Sequence, residues 1–249
     1  MKTVEDWWQT PPNNLMLSED DVHIWRAKLD LPAAQIQQLA HTLSTDEQQR
    51  ADRFYFDKDK KHFIAGRGFL RTILARYLDL EPAGLKFAYS SRGKPALATT
   101  SLGGTIDFNL SHSQGMALYA VTRNRQIGID LEYMRSVSDV EQLAKRFFSS
   151  RESAVISSLP PEQKQEEFFK AWTGKEAYLK ATGDGLAGLE EVEISLIPGE
   201  PVALLSIQGN QQAVSDWCLS PLAPAPGYLA AVAVKGHDWH LTMLDIKDE

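Results

Sequence analysis

Gly128-Ile129-Asp130-Leu131-Glu132 and the segment Trp172-Thr173-Gly174-Lys175-Glu176-Ala177-Tyr178-Leu179-Lys180 carry the residue types from which phosphate chemistry is built. In a strand, alternate side chains share a face, so Asp130 and Glu132 point the same way. In a helix, Trp172, Glu176 and Lys180 fall on one stripe at i, i+4 and i+8. If the two faces meet, three carboxylates and an ammonium group converge. Mg²⁺ takes oxygen ligands, commonly one or two carboxylates completed by phosphate and water. Asp130 and Glu132 are too few for a closed cage, so a phosphate-bearing substrate would complete the shell. Glu176 is open to two roles, further ligand or general base, and Lys180 would protonate or stabilise a phosphate leaving group. Taken alone, such a Glu–Lys pair is more often a surface ion pair worth about 0.3–0.5 kcal/mol. Trp172 and Leu179 make this stripe partly apolar and place Glu176 at a buried margin.

A second constellation is Phe108-Asn109-Leu110-Ser111-His112-Ser113. Phe108 and Leu110 are expected in the core, with Ser111, His112 and Ser113 entering a loop. Hydroxyls, backbone amides and an imidazole suit phosphate oxygens. Lys94, from the turn Arg92-Gly93-Lys94-Pro95, adds positive charge nearby.

Several elements must position these groups. Val22–Leu29 alternates as a strand, a helix follows Pro32, and Ser44 with Glu47 has capping-box spacing for another. Lys60–Leu78 is periodic over its whole length, with Phe63, Leu70, Leu74 and Leu78 inward and Arg67 and Arg71 one turn apart. Met116–Val121 and Ile127–Leu131 read as a hairpin around Arg123-Asn124. Ser138 and Glu141 suggest a second capping box, before Lys145-Arg146-Phe147-Phe148. Pro161 suits the start of the helix that carries Trp172–Lys180, and Gly183 its end. From Val192 onward the pattern is of strands between Pro/Gly turns. Arg53-Phe54-Tyr55 and Arg146-Phe147-Phe148 each precede a helix with charged residues, a faint internal echo that hints at two similar halves joined near residues 113–120.

Composition limits the partners. The chain has 249 residues, 43% hydrophobic and 24% charged, and a net charge of -7. That charge argues against general nucleic-acid binding, which rests on neutralising phosphates with Lys and Arg. Between Arg50 and Arg76, however, eight Lys/Arg face three Asp, a local balance of +5. That suits a small anionic ligand, a docking patch or simply a solvated helix face. Cys218 is the single cysteine, so a reducing compartment is expected. Met1–Trp8 carries acids where a leader needs basic and then apolar residues. No apolar run approaches a membrane span. The cytoplasm is the expected location, with no membrane partner.

The three segments Asn109–Ser113, Gly128–Glu132 and Trp172–Lys180, with Gly183 and Gly185, occur in the order and spacing of the Sfp-like 4'-phosphopantetheinyl transferases. The chain resembles that family from about residue 20 to 235, including Arg92-Gly93-Lys94-Pro95 and Ala65-Gly66-Arg67. The wording of Phe54-Tyr55-Phe56 and of Lys175–Gly185 is especially similar to cyanobacterial members, including those serving heterocyst glycolipid synthesis. The resemblance implies an α+β fold, a pseudo-two-fold pair of similar α/β halves with the active site in the cleft between them. Residues 1–115 would bind the coenzyme A nucleotide and residues 116–249 would carry the metal and catalytic groups.

The implied reaction transfers 4'-phosphopantetheine from coenzyme A to a serine of an apo acyl or peptidyl carrier protein and releases adenosine 3',5'-bisphosphate. Carried onto this chain, Asp130, Glu132 and Glu176 would gather around Mg²⁺ and the pyrophosphate. Glu176 would take the serine proton, directly or through water, and Lys180 would meet the departing phosphate. Ser111 and His112 would hold phosphate oxygens, with His112 in the catalytic set, and Arg67 and Lys94 would hold the nucleotide and its 3'-phosphate. Arg50, Arg53, Lys145 and Arg146 are candidates for carrier docking. Asp184 stands where relatives commonly have a basic residue, which removes a phosphate or carrier contact there. A monomer is implied, because two halves in one chain build the cleft that shorter trimeric relatives form between subunits. The competing readings are a non-catalytic coenzyme A- or carrier-binding module and a metal-dependent phosphohydrolase.

Overall fold

The computed structural model describes residues 7–98, 105–197 and 199–246. Residues 1–6, on which the leader reading partly rests, lie outside that range. Among the described residues eleven strands and six α-helices follow in order: β1 (Asp21–Lys28), α1 (Ala33–Ala40), α2 (Thr45–Ala51), α3 (Asp57–Leu78), β2 (Phe87–Tyr89), β3 (Pro95–Leu97), β4 (Ile106–Ser113), β5 (Met116–Arg123), β6 (Ile127–Tyr133), α4 (Val140–Phe147), α5 (Ser150–Ser158), α6 (Pro161–Thr182), β7 (Val192–Ile194), β8 (Leu204–Ile207), β9 (Trp217–Leu222), β10 (Tyr228–Lys235) and β11 (His240–Asp245).

Two main sheets stand back to back, and each carries one 22-residue helix on its outer face. The first sheet runs β11-β1-β5-β4 and the second β6-β10-β9. Alternation along β1 explains the layering. Val22 and Ile24 face Ile127, Ile129, Leu131 and Val232 of the second sheet. Trp25 and Ala27 face the other way, into a core with Leu70, Ile73 and Leu74 of α3. α6 packs Phe168, Ala177 and Leu179 with Ala231 and Ala233 of β10. β11 returns from the end of the chain to pair parallel with β1, His240 opposite Asp21 and Leu244 opposite Trp25.

Three local expectations change. β5 and β6 do not form a hairpin: β1 and β4 occupy both edges of β5, while β6 pairs with β10. The backbone at Asn124, φ 52°, begins a three-residue crossing from one sheet to the other. Ser111, His112 and Ser113 are not in a loop; they continue β4 and pair with Leu118, Ala117 and Met116. Asp139 rather than Ser138 caps α4, its carboxylate accepting the Gln142 N–H at 3.3 Å. The capping box at Ser44 and the stop at Gly183, φ 82°, stand as the sequence suggests.

Candidate active site

The spacing between β6 and α6 is set at Gly128. It shares a strand face with Asp130 and Glu132, and a Cβ there would lie 2.1 Å from the Ala177 carbonyl oxygen and 2.3 Å from the Ala181 nitrogen. With no side chain at 128, and with Ala231 and Ala233 beside it on β10, α6 comes down onto β6. The next residues on that face then meet the helix stripe at Glu176 and Lys180.

Lys180 Nζ lies 2.6 Å from Asp130 Oδ1 and donates to Ser111 Oγ at 2.9 Å. The Ser111 hydroxyl in turn donates to the same Asp130 oxygen at 2.9 Å. Asp130 Oδ2 and Glu176 Oε1 are buried and have no hydrogen-bond partner among the described residues. A buried carboxylate oxygen without a partner is costly and marks a place for an ion, a water or a ligand group. Burial, with Asp130 and Glu132 adding like charge against the Lys180 ammonium, pushes Glu176 up to about 7. Burial and the Asp130 charge raise Glu132 as well. The three carboxylates therefore share one electrostatic neighbourhood.

β4 and β6 run side by side without a backbone ladder, and side chains of β4 bridge the seam. Asn109 Oδ1 accepts the Ile129 N–H at 2.9 Å, Ser113 Oγ accepts the Tyr133 N–H at 3.1 Å, and the Ser113 hydroxyl donates to Glu132 Oε2 at 3.2 Å. Partners stand 19 or 20 residues apart throughout, so the strands run parallel. The Asn-x-Ser-x-Ser alternation thus joins the sheets and braces two acids. His112 faces away from this seam. It is solvent-exposed, yet crowding by protein, then the Lys180 ammonium and His62, holds its imidazole below the usual histidine range.

The sequence-derived basic residues divide. Lys94 reaches the cleft, where its ammonium donates to Ala181 O at 2.8 Å and Ile127 O at 3.4 Å. Burial holds it below the usual lysine range. It helps line a cavity of about 220 Å³ with Arg92, Asn109, Glu176, Lys180 and Gly183. Arg67 is not brought to the carboxylates. It is buried, its Nε 2.5 Å from Glu47 Oε1, its guanidinium bonded to the Tyr89 hydroxyl and stacked over Phe87 at 4.6 Å. Arg71 shares Glu47 at 2.6 Å. A larger concavity of about 720 Å³ beside α1 and α3 is lined by no carboxylate side chain.

Comparisons with known proteins match the chain to one family. The family model for the 4'-phosphopantetheinyl transferase superfamily matches residues 126–233, and one for the N-terminal part of a 4'-phosphopantetheinyl transferase matches residues 29–124. The 4'-phosphopantetheinyl transferase HetI of Nostoc sp. (strain PCC 7120) is 55% identical over 232 residues, 93% of this chain and 95% of its own. The chain belongs to the 4'-phosphopantetheinyl transferase superfamily. A 4'-phosphopantetheinyl transferase of Bacillus subtilis is 31% identical over 63% of this chain and 67% of its own. The L-aminoadipate-semialdehyde dehydrogenase-phosphopantetheinyl transferase of Mus musculus is 30% identical over 79% and 68%. This phosphopantetheinyl transferase is an enzyme that moves 4'-phosphopantetheine from coenzyme A to a carrier protein. Its fold is the two-lobed α+β arrangement of the family.

Sequence reasoning on this transferase passed over three participants. Glu47 was legible only as a capping residue, yet it neutralises both Arg67 and Arg71. Asn109 carries no sequence signal of its role as a bridge between sheets. Lys175, beside Glu176, is buried against Glu152 at 2.6 Å and donates to Leu189 O at 2.9 Å. The signal for Lys175 was its place one step round the helix from the cleft stripe.

Proposed function

We propose that Asp130, Glu132, Glu176, Lys180, Ser111 and His112 carry this transfer, with Mg²⁺ as cofactor. The observation that supports the reading most is the pair of bare buried oxygens, Asp130 Oδ2 and Glu176 Oε1, beside the Lys180 ammonium. Among the described residues no group of three His, Cys, Asp or Glu side chains forms a ready metal cage. Those two oxygens instead fit an open site completed by phosphate and water, the usual manner of Mg²⁺. Asp130 and Glu176 would hold the ion, with Glu132 beside them. When bound, it neutralises pyrophosphate charge and polarises the phosphorus under attack.

The chain's own groups do the rest. Glu176, held near neutral pKa by burial, accepts the serine proton, directly or through a water. Lys180, already anchored by Asp130 and Ser111, neutralises the phosphate of the departing adenosine 3',5'-bisphosphate. His112 and Lys94 would hold coenzyme A phosphates and nucleotide. In-line attack then needs mainly positioning and charge neutralisation. Arg67, locked to Glu47, would contribute by shaping the nucleotide wall. Residues 1–115 would bind the nucleotide, with Ser111 and His112 reaching into the site, and residues 116–249 would carry the metal and the other catalytic groups, in a cytoplasmic monomer that needs no nucleic acid or membrane. Among the described residues no helix is long and apolar enough to cross a membrane.

The test is incubation of the purified chain with coenzyme A, Mg²⁺ and apo-carrier proteins. Gain of the phosphopantetheine mass on a carrier serine, lost with chelator, is the expected result. Failure on fatty-acid, polyketide and peptide-synthetase carriers alike would defeat the reading.

A further inference from the structure

The link between α2 and α3 presents a feature that transfer chemistry itself does not use. Tyr55 is 92% and Phe56 64% exposed, among the most open large apolar side chains described. Their rings stack edge to face at 4.9 Å, and neighbouring Phe54 leans on Phe63 at 5.4 Å. Exposed aromatics grouped in this way are the usual anchors of protein interfaces. Cations frame them. Arg53 and Lys58 are exposed, and among the described residues neither has a carboxylate within ion-pair distance, whereas Lys60 and Lys61 are tied to Asp52 and Asp57.

The position matters as much as the composition. Phe56 caps α3, and His62 lies six residues further along, about 9 Å of helix rise. His62 Nε2 is 2.8 Å from Asp30 Oδ1. A Cβ on Gly115 would lie 3.9 Å from the His62 ring. Gly115 is two residues beyond Ser113, whose hydroxyl holds Glu132. The aromatic and basic knob therefore lies about 9 Å along α3 from the point where His62 meets the turn just beyond Ser113.

We infer that Arg53, Tyr55, Phe56 and Lys58 form the docking surface for the protein acceptor, and that this acceptor presents an acidic face with an apolar centre. The inference rests on the transferase reading above. Arg53 and Lys58, offset only by the exposed Asp59, leave this patch net positive on a chain of net charge -7, which is complementary to an acidic surface. The acceptor serine must approach the carboxylates, and a partner seated on this knob lies beside that approach.

The experiment compares the unaltered chain with Tyr55→Ser/Phe56→Ser and with Arg53→Glu/Lys58→Glu, using an apo acyl carrier protein as acceptor and mass gain as the readout. The expected result is a carrier KM raised roughly tenfold by each pair, with kcat at saturating carrier and the KM for coenzyme A within twofold. The charge-reversed pair should also lose most of the salt dependence of kcat/KM. Unchanged carrier KM in active variants would overturn the docking surface alone, as would a fall confined to kcat. A dimer of the unaltered chain in sedimentation that the aromatic pair dissociates would assign the patch to a second copy and overturn it too. No transfer by the unaltered chain would overturn the transferase reading, and this inference with it. Thermal melts confirm that variants at such exposed positions keep the fold.

Discussion

Lys180 and Asp130 stand 2.6 Å apart, and the contact uses only one of the two carboxylate oxygens. Oδ1 receives both the ammonium and the Ser111 hydroxyl, which leaves Oδ2 bare and buried. The aspartate is thereby oriented by its neighbours and open on its other side, which is how a ligand-binding carboxylate differs from one used only for stability.

Asp130→Asn removes the charge from both sides. It should lower transfer by roughly 100-fold or more, as expected when several kcal/mol of charge stabilisation is lost. Excess Mg²⁺ should not restore the rate. Single-turnover mass gain with saturating coenzyme A and carrier checks this, and near-normal turnover would remove Asp130 from the site.

Glu176→Gln should still bind coenzyme A but lose about 10²–10⁴-fold in kcat, the usual worth of a positioned base. Calorimetry with coenzyme A separates binding from turnover. A variant that keeps its rate would reject the base assignment.

The same substitution has a stability signature. The folded state raises Glu176 from 4.5 to about 7, so between those values it binds more protons than the unfolded chain. Stability of chelator-treated protein should therefore fall as pH rises from about 4.5 to about 7. Glu176→Gln removes that contribution, so its Tm should exceed that of the unaltered chain at pH 8 by on the order of 10 °C (about 3 kcal/mol for a shift of that size, at about 2–4 °C per kcal/mol in a chain of this size). The difference should vanish near pH 4. A pH-independent difference would contradict the buried ionisation.

Gly128→Ala directs a methyl group at the backbone of Ala177 and Ala181, atoms that no rotamer can move. It should cost about 3 kcal/mol or more and separate β6 from α6, with activity falling alongside Tm. Denaturant titration reads the loss, and unchanged stability would mean that the close approach is not fixed.

Lys175→Met leaves Glu152 buried without its cation, and the resulting penalty should be about 3–5 kcal/mol. Glu152 also accepts the Ile194 N–H at 2.9 Å, so the variant should loosen β7 first. Hydrogen exchange that speeds up at Ile194 before the rest of α6 checks this.

Much of the site was legible because short-range rules decided it. Period two placed Asp130 with Glu132, period 3.6 placed Glu176 with Lys180, and Pro161 and Gly183 bounded the helix that carries them. The crossing after Asn124 was not legible, since a hairpin and a change of sheet share the same local turn chemistry, and only the occupied edges of β5 decide between them. Arg67 shows the same limit: its helix position was clear, but a buried partner 20 residues earlier, Glu47, claims it. The polar run Ser111–Ser113 reads as loop because its hydroxyls serve a neighbouring strand rather than solvent.

The parallel pairing of β11 with β1 has a consequence for how the molecule is made. Residues 240–245 complete the sheet begun by residues 21–28, so the first lobe lacks its outer strand until more than 200 further residues have been made. An unfinished chain exposes the β1 edge as a template for stray pairing. The first sheet is thus complete only after residues 240–245 are made, and products stalled or truncated before them are the species from which aggregation should start.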